Sequence, residues 1–249
     1  MNNVYMNQLT WYEFNEKKDN VVILPVGSTE QHGPHLPLST DSVIATEIGV
    51  KFAKEINGIV APTLCYGYKS KPLSGGGPLF PGTIDLNGLT FIQLAYDILA
   101  ELALDGVTKI FVLNAHFENE AFLLEAIDLV SNKYPHVKII ETNWWDVLPE
   151  FTIEKIFDEV PFPGWALEHA AITETSLMMY LSPDLVHTDR FIDENGVVAT
   201  SYQKYPIVKG MVPSSGVLAT SKSSSKEKGK FIVDIVLDEF MKIAQTEFN

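Results

Sequence analysis

Val21-Val22-Ile23-Leu24-Pro25-Val26-Gly27 runs without interruption into Ser28-Thr29-Glu30-Gln31-His32-Gly33-Pro34-His35-Leu36-Pro37-Leu38-Ser39-Thr40-Asp41, and the change of character at Ser28 sets the reading of the whole chain. The leading run is apolar on both faces, as a strand buried inside a parallel sheet is. The segment after it carries two carboxylates, Glu30 and Asp41, and two imidazoles, His32 and His35, while Gly33, Pro34 and Pro37 keep it out of a helix. Asp, Glu and His are the usual ligands of divalent metals, so a loop with this inventory at a strand end is expected to bind one.

Working outward, Ser39-Thr40-Asp41 reads as a helix start, and the spacing of Val43, Ile44, Ile48, Phe52 and Ile56 predicts a helix over 43–56, stopped by Asn57-Gly58. Ile59-Val60-Ala61 follows as a second short buried strand. Residues 66–85 read as irregular around Ser74-Gly75-Gly76-Gly77-Pro78, and a loop this long in a compact domain is expected to be functional. An amphipathic helix is predicted over 86–104, ending at Asp105-Gly106. The unit then repeats in outline: strand 110–113, polar turn 114–119, helix 121–130, strand 137–140. Beyond the polar Asn143-Trp144-Trp145-Asp146, a helix is expected over 175–181, with a start as early as Glu168 and an end at Ser182-Pro183. Residues 187–223 are Gly/Pro/Ser-rich and expected to be loop with short strands, and 231–248 reads as a closing helix.

Strand–helix alternation with strands buried on both faces predicts an α/β fold. The expected form is a three-layer sandwich, a central mostly parallel β-sheet flanked by helices, in one domain over 1–249. In open α/β sheets the site lies beyond the carboxyl ends of the strands, where both 30–41 and 114–119 would fall.

The composition narrows the class. A chain of 249 residues, 46% of them hydrophobic, can bury a full core. Its net charge of −14 repels phosphate backbones, so no nucleic-acid partner is expected. The one lysine-rich stretch, Lys222 to Lys230, reads as a solvated loop leading into the last helix. No apolar run reaches the roughly 18 residues of a membrane span, and Met1-Asn2-Asn3-Val4-Tyr5 lacks the look of a secretory signal. Cys65 is the single cysteine, which forbids an intramolecular disulfide and fits a cytoplasmic address.

His116-Phe117-Glu118 mirrors Glu30-Gln31-His32, each pair following a buried strand. In extended backbone, residues two apart share a face and can converge on one centre. The candidate ligands are then Glu30, His32, Asp41, His116 and Glu118. That is too many for one catalytic zinc but suited to two divalent ions sharing a carboxylate. Three carboxylates and one hydroxide balance two such ions, whereas three clustered carboxylates without metal would repel one another. His35 reads either as a group holding Glu30 or Asp41 in place or as a loop histidine bonded to backbone. His136 and His187 carry no assigned role.

The string Leu24 to Pro37 resembles the opening signature of the creatininase family of metal-dependent amidohydrolases. The resemblance continues through Asp41, Ser74-Gly75-Gly76-Gly77, Phe80-Pro81-Gly82-Thr83, Asn114-Ala115-His116-Phe117-Glu118-Asn119, Trp144-Trp145-Asp146, Gly164-Trp165-Ala166-Leu167-Glu168-His169 and Glu174-Thr175-Ser176-Leu177-Met178. It implies a dinuclear manganese or zinc site, with Glu30 and His116 on one ion, His32 and Glu118 on the other, and Asp41 between them. It also implies a homohexamer. Glu118 and His169 would manage protons, with Glu168 helping to position the nucleophile. Ser74, Phe117, Trp165, Ala166, Glu168 and one of Trp144 or Trp145 would meet a small-molecule substrate, a tryptophan serving as lid. The alternative for Trp144 and Trp145 is core packing. The implied reaction is hydrolysis of a cyclic amide, creatinine to creatine. Two departures, Phe117 where these enzymes carry tyrosine and Ala166 where they carry an acid or amide, leave open another amide, a formamide or a cyclic ketone as substrate.

Overall fold

The structure is a computed structural model that describes residues 3–75 and 77–248, so Gly76, the middle of the expected triple-glycine loop, lies outside the described residues together with Met1, Asn2 and Asn249. The four strands β1 (Val22–Val26), β2 (Ile59–Val60), β3 (Lys109–Asn114) and β4 (Lys138–Asn143) form one all-parallel sheet in the order β2-β1-β3-β4. Its two faces are set by the alternation of side chains along each strand. Ile23, Val60, Phe111 and Leu113 point to one layer, which is built from α2 (Thr40–Ile56), α6 (Ile172–Leu181) and α7 (Lys226–Glu247). Val22, Leu24, Val26, Ile59, Ile110 and Val112 point to the other, built from α3 (Gly88–Leu104) and α4 (Glu120–Lys133).

Helices on both faces explain why the strands read as continuous apolar runs: all five residues of β1 are buried. The layer over α2 closes on three phenylalanines, Phe52, Phe111 and Phe240, whose ring centroids lie 5.0–5.5 Å apart. Each contributes about 1.5–3 kcal/mol through burial alone. Asn57 ends α2 in the left-handed conformation at φ 54°, as the Asn-Gly pair anticipated.

Two helices went unread in the sequence. α1 (Trp11–Lys17) is closed by a capping box between Thr10 and Glu13, and α5 (Glu150–Ile156) follows Pro149. Both are two turns long and carry exposed aromatics, Trp11, Tyr12 and Phe151, so their apolar period is broken. The last helix starts at Lys226 rather than at 231, so Lys226, Lys228 and Lys230 lie in its first turns rather than in a loop. No strand occurs over 187–223 among the described residues; the segment is loop with a short turn of helix at Thr188–Arg190.

Candidate active site

The strand order reverses between β1 and β3, which makes the gap beyond their carboxyl ends the topological switch point of the sheet. The loop after β1 supplies Glu30 and His32, the first turn of α2 supplies Asp41, and the turn after β3 supplies His116. A Cβ on Gly27 would stand 2.5 Å from the backbone nitrogen of Ser42, so only glycine lets the end of β1 pass this close to α2 and lay the loop over Asp41. Three buried asparagines brace the two strand ends. Asn114 donates to the His116 carbonyl (2.8 Å) and to Asn143 Oδ1 (2.6 Å), and Asn119 donates to the Gly27 carbonyl (3.1 Å).

Each imidazole is held by its outer nitrogen. His32 Nδ1 donates to the Glu30 carbonyl at 3.1 Å, and His116 Nε2 to the Tyr68 carbonyl at 2.8 Å. Carbonyls only accept, so in the neutral imidazoles the inner nitrogens carry the lone pairs. Those lone pairs face carboxylate oxygens: His32 Nε2 lies 2.9 Å from Asp41 Oδ1 and 3.6 Å from Glu174 Oε2, and His116 Nδ1 lies 3.0 Å from Asp41 Oδ2 and 3.4 Å from Glu30 Oε2. Lone pairs turned on one another repel unless a cation stands between them. Glu30 Oε2 and His32 Nε2, both buried, have no aligned hydrogen-bond partner; the 2.9 Å approach of His32 to Asp41 is close without being a hydrogen bond in direction. Glu30, Asp41 and His116 form one set of donor atoms mutually within 4.8 Å, and His32, Asp41 and Glu174 form another; a third set, Glu30, His32 and His169, lacks Asp41. Asp41 belongs to both of the first two, as a carboxylate between two cations must.

The titration behaviour follows from the same packing. Burial pushes Glu30 up to about 7 against the pull of His116 and His32. Burial would lower His116, but Asp41 and Glu30 carry it up to about 10. Against its own burial, Asp41 is held well below the usual carboxylate range by the two imidazoles. A metal-free centre therefore keeps protons where the inner nitrogens face carboxylates.

Outer groups hold these side chains in turn. Ser28 Oγ donates to Asp41 Oδ2 at 2.6 Å, and Ser70 Oγ donates to Glu30 Oε1. A Cβ on Gly75 or Gly77 would sit 2.7–2.8 Å from that same Glu30 oxygen, which accounts for the glycines of this loop. Gln31 spends both amide hydrogens on the Gly75 and Gly216 carbonyls, so His169 Nε2, 2.8 Å from the Gln31 carbonyl, is the donor there and Nδ1 is left as its open proton site. Burial, then the neighbouring His32, lowers the His169 imidazole well below its ordinary range and keeps it neutral.

The expected partnership of His32 with Glu118 is not what forms. The chain leaves the extended His116 and enters a turn of helix over Phe117–Asn119, which swings Glu118 to the far side of the His116 ring. There Oε2 lies 3.7 Å from His116 Nε2, and Oε1 faces the Lys71 amide at 3.4 Å. Glu174, in the first turn of α6, stands with His32 instead, its Oε2 also accepting from the Ala170 amide at 2.6 Å. The sequence carried two signals for it: Glu174 is the only charged residue of α6, and it opens the last of the strings that resemble the family.

Glu118, Ser74, Phe117, Trp165, Ala166, Glu168 and His169 line a cavity of about 30 Å³ over the two donor sets, with His32, His116 and Glu174 in its floor. Trp144 and Trp145 do not line it. They are 2% and 7% exposed and pack into the core, Trp145 behind Phe117 (5.8 Å between centroids) and Trp144 behind Trp165 (5.8 Å). The core-packing alternative describes both, since they belong to the same buried cluster as Ile156 of α5 and Leu177 of α6. His35 is fully buried with Nε2 2.9 Å from Thr175 Oγ1, so it steadies the residue beside Glu174 rather than Glu30 or Asp41. His136 and His187 lie outside the cavity lining.

Comparison with known proteins places this geometry. Residues 7–244 match the family described as Creatininase: Creatinine amidohydrolase. The creatinine amidohydrolase of Pseudomonas putida is 35% identical over 98% of this chain and 97% of its own length. Among solved structures, a glutamate-to-glutamine mutant of creatininase complexed with creatine superposes with a TM-score of 0.94 at 35% identity over 99% of each chain. The manganese form of creatininase (TM-score 0.95, 35% identity, 99% of each chain) and a Zn-Zn form of the mutant (0.95, 35%, 100% of this chain and 99% of that one) agree equally well.

Proposed function

The chain belongs to the creatininase family, and on that footing we propose that it is a dinuclear-metal amidohydrolase that opens a small cyclic amide, creatinine to creatine, in the crevice between β1 and β3. The observation that carries the reading is the pair of carboxylate–imidazole sets that share Asp41. Glu30, Asp41 and His116 would hold one divalent ion, and His32, Asp41 and Glu174 the other, manganese or zinc. When bound, such a pair supplies water of lowered pKa and a Lewis acid for the amide carbonyl.

The chain's own groups supply the remainder. The water oxygen adds to the carbonyl carbon, the ring C–N bond breaks, and one proton must travel from that water to the departing nitrogen. Glu118, placed beside His116, takes the proton, and His169 delivers it, its neutral imidazole free to accept at Nδ1. Trp165 and Phe117 form the apolar walls that exclude bulk water, and Ser74, 3.4 Å from the Ala166 carbonyl, fixes the loop between them. A cavity of about 30 Å³ holds a water or two, not a ring. The turn Trp165–Leu167 therefore moves aside to admit substrate, and the positive-φ residues Gly164 and Ala170 on either side of it are where the backbone swings.

The test is turnover of creatinine by the purified protein loaded separately with manganese and with zinc. Creatine formation at ordinary enzymatic rates, abolished by chelation, is the expected outcome. A protein holding two ions per chain and inert toward creatinine refutes the substrate. That result would favour the second reading, another amide, formamide or cyclic ketone, for which Phe117 and Ala166 speak: both line the cavity and neither offers a hydrogen-bonding side chain.

The whole chain, 1–249, is read as one catalytic unit in a cytoplasmic homo-oligomer, a hexamer by family resemblance. Trp11 and Tyr12, both exposed and stacked on each other at 3.7 Å, are an aromatic pair that such an association would cover. No helix among the described residues is long and apolar enough to cross a membrane.

A further inference from the structure

A second cavity, about 180 Å³, opens between the loop after α5 and the segment before α7. One residue is common to its lining and that of the reaction cavity: Glu168. Glu168 is 5% exposed and its two oxygens are used unequally. Oε2 accepts from the amide (2.8 Å) and the hydroxyl (2.5 Å) of Thr173, while Oε1 is buried without any hydrogen-bond partner. Phe157 and Phe162, 4.9 Å apart, form an aromatic wall, and Val197 and Leu218 face the space from the opposite segment. The other charged residue in the lining is Glu194; no lysine, arginine or histidine contributes to it. The lysines near this region are engaged elsewhere, Lys228 with Asp158 at 2.8 Å and Lys222 with Asp193 at 3.3 Å.

From this we infer that the cavity is a binding site for a small organic cation with an apolar body, an amine or guanidinium, whose charge rests against Glu168 and whose hydrocarbon part lies on Phe157 and Phe162. Aromatic faces and carboxylates without a compensating cation are the surroundings that such a group prefers. A buried carboxylate oxygen lacking a partner is costly, and a charged donor is the partner that relieves it most. The size fits one such molecule and excludes a peptide or a nucleotide. Phe162 also packs on Trp165 at 4.9 Å, so the occupant would touch the wall that the reaction cavity uses.

Calorimetry of the metal-loaded protein with benzylammonium, with neutral benzyl alcohol as control, tests this without reference to turnover. Saturable binding of the amine at one site per chain is expected, at least about tenfold tighter than the alcohol. Ala219→Phe fills the cavity from a position outside the reaction site and should abolish that binding while metal content and melting temperature stay unchanged. Val197→Phe, from another wall, is the check should Ala219→Phe fold poorly. Glu168→Gln should weaken the amine by about tenfold and leave the alcohol as it was. Absence of saturable binding, binding that survives both filling variants, or equal affinity for amine and alcohol each overturns the inference. Because no arm depends on creatinine, these outcomes are independent of whether the protein hydrolyses it.

Discussion

Replacing Glu174 by glutamine removes one charge from the set around His32 and leaves the volume, and the acceptor for the Ala170 amide, in place. Glu174 Oε2 lies 3.6 Å from His32 Nε2, so an ion held between them sits within ordinary bonding reach of both. A unit charge at about 4 Å in a partly screened protein site is worth about 4 kcal/mol, or roughly a thousandfold in affinity. The effect should fall on one ion only, because Glu30, Asp41 and His116 are untouched. Metal analysis after equilibration with a buffered chelator should give two ions per chain for the natural protein and one for Glu174→Gln. Glu118→Gln is the matched control. Its carboxylate stands on the far side of the His116 ring, so it should keep two ions and lose roughly 10²–10⁴-fold in kcat as a proton carrier. The reverse pattern, two ions in Glu174→Gln and one in Glu118→Gln, would refute the assignment and restore the pairing expected from the sequence.

Three more outcomes are expected. Metal loading should release protons near pH 7, since without metal His116 titrates at about 10 and Glu30 at about 7; both pKa values are raised, so affinity must climb as pH rises toward them, and calorimetry in buffers of different ionisation enthalpy that finds no proton release would contradict this. Phe117→Tyr and Ala166→Asp should each raise kcat/KM for creatinine, by roughly twofold to tenfold for one regained hydrogen bond, with no change in metal content; a fall in either variant would mean that these positions do not meet the substrate. Glu141 on β4 is pushed up to about 8 by burial and by Glu120 and Asp146, and one of its oxygens has no partner. A raised acid favours the folded state below its ordinary pKa near 4.5, and that advantage is lost as pH climbs to about 8. Glu141→Gln should thus melt with the natural protein near pH 4.5 and above it at pH 9, by a few degrees for a stabilisation on the order of 1–2 kcal/mol, and an equal gap at both pH values would contradict the cause.

The parts of this molecule that declared themselves in the sequence are those specified by neighbours in the chain. β1 is buried and apolar throughout, and β3 likewise between Lys109 and Asn114; α2 shows its period and its Asn57 stop; the candidate ligands Glu30, His32 and His116 lie in the turns just after their strands, and Asp41 opens the next helix. Glu174 was hidden because its place depends on α6 packing against α2, which carries Asp41, across more than a hundred residues of chain. Glu118 stands apart from His32 because the extended alternation ends at His116 and Phe117–Asn119 form a turn of helix, which no feature of the sequence marks. The tryptophans of 144–145 look the same from the sequence whether they face the crevice or the core; only the packing of distant elements, such as Ile156 and Leu177 in the same cluster, distinguishes the two. Residues 187–223 lack any period because their order rests on single long-range bonds, such as those joining Ile192 and Ser221 in both directions.

Anomalous diffraction from crystals grown with manganese tests the central claim most directly. Two peaks are predicted at the carboxyl ends of β1 and β3, one among Glu30, Asp41 and His116, the other among His32, Asp41 and Glu174, with Asp41 touching both. A single peak, or a second ion bound by Glu118 with Glu174 standing apart, would contradict the account.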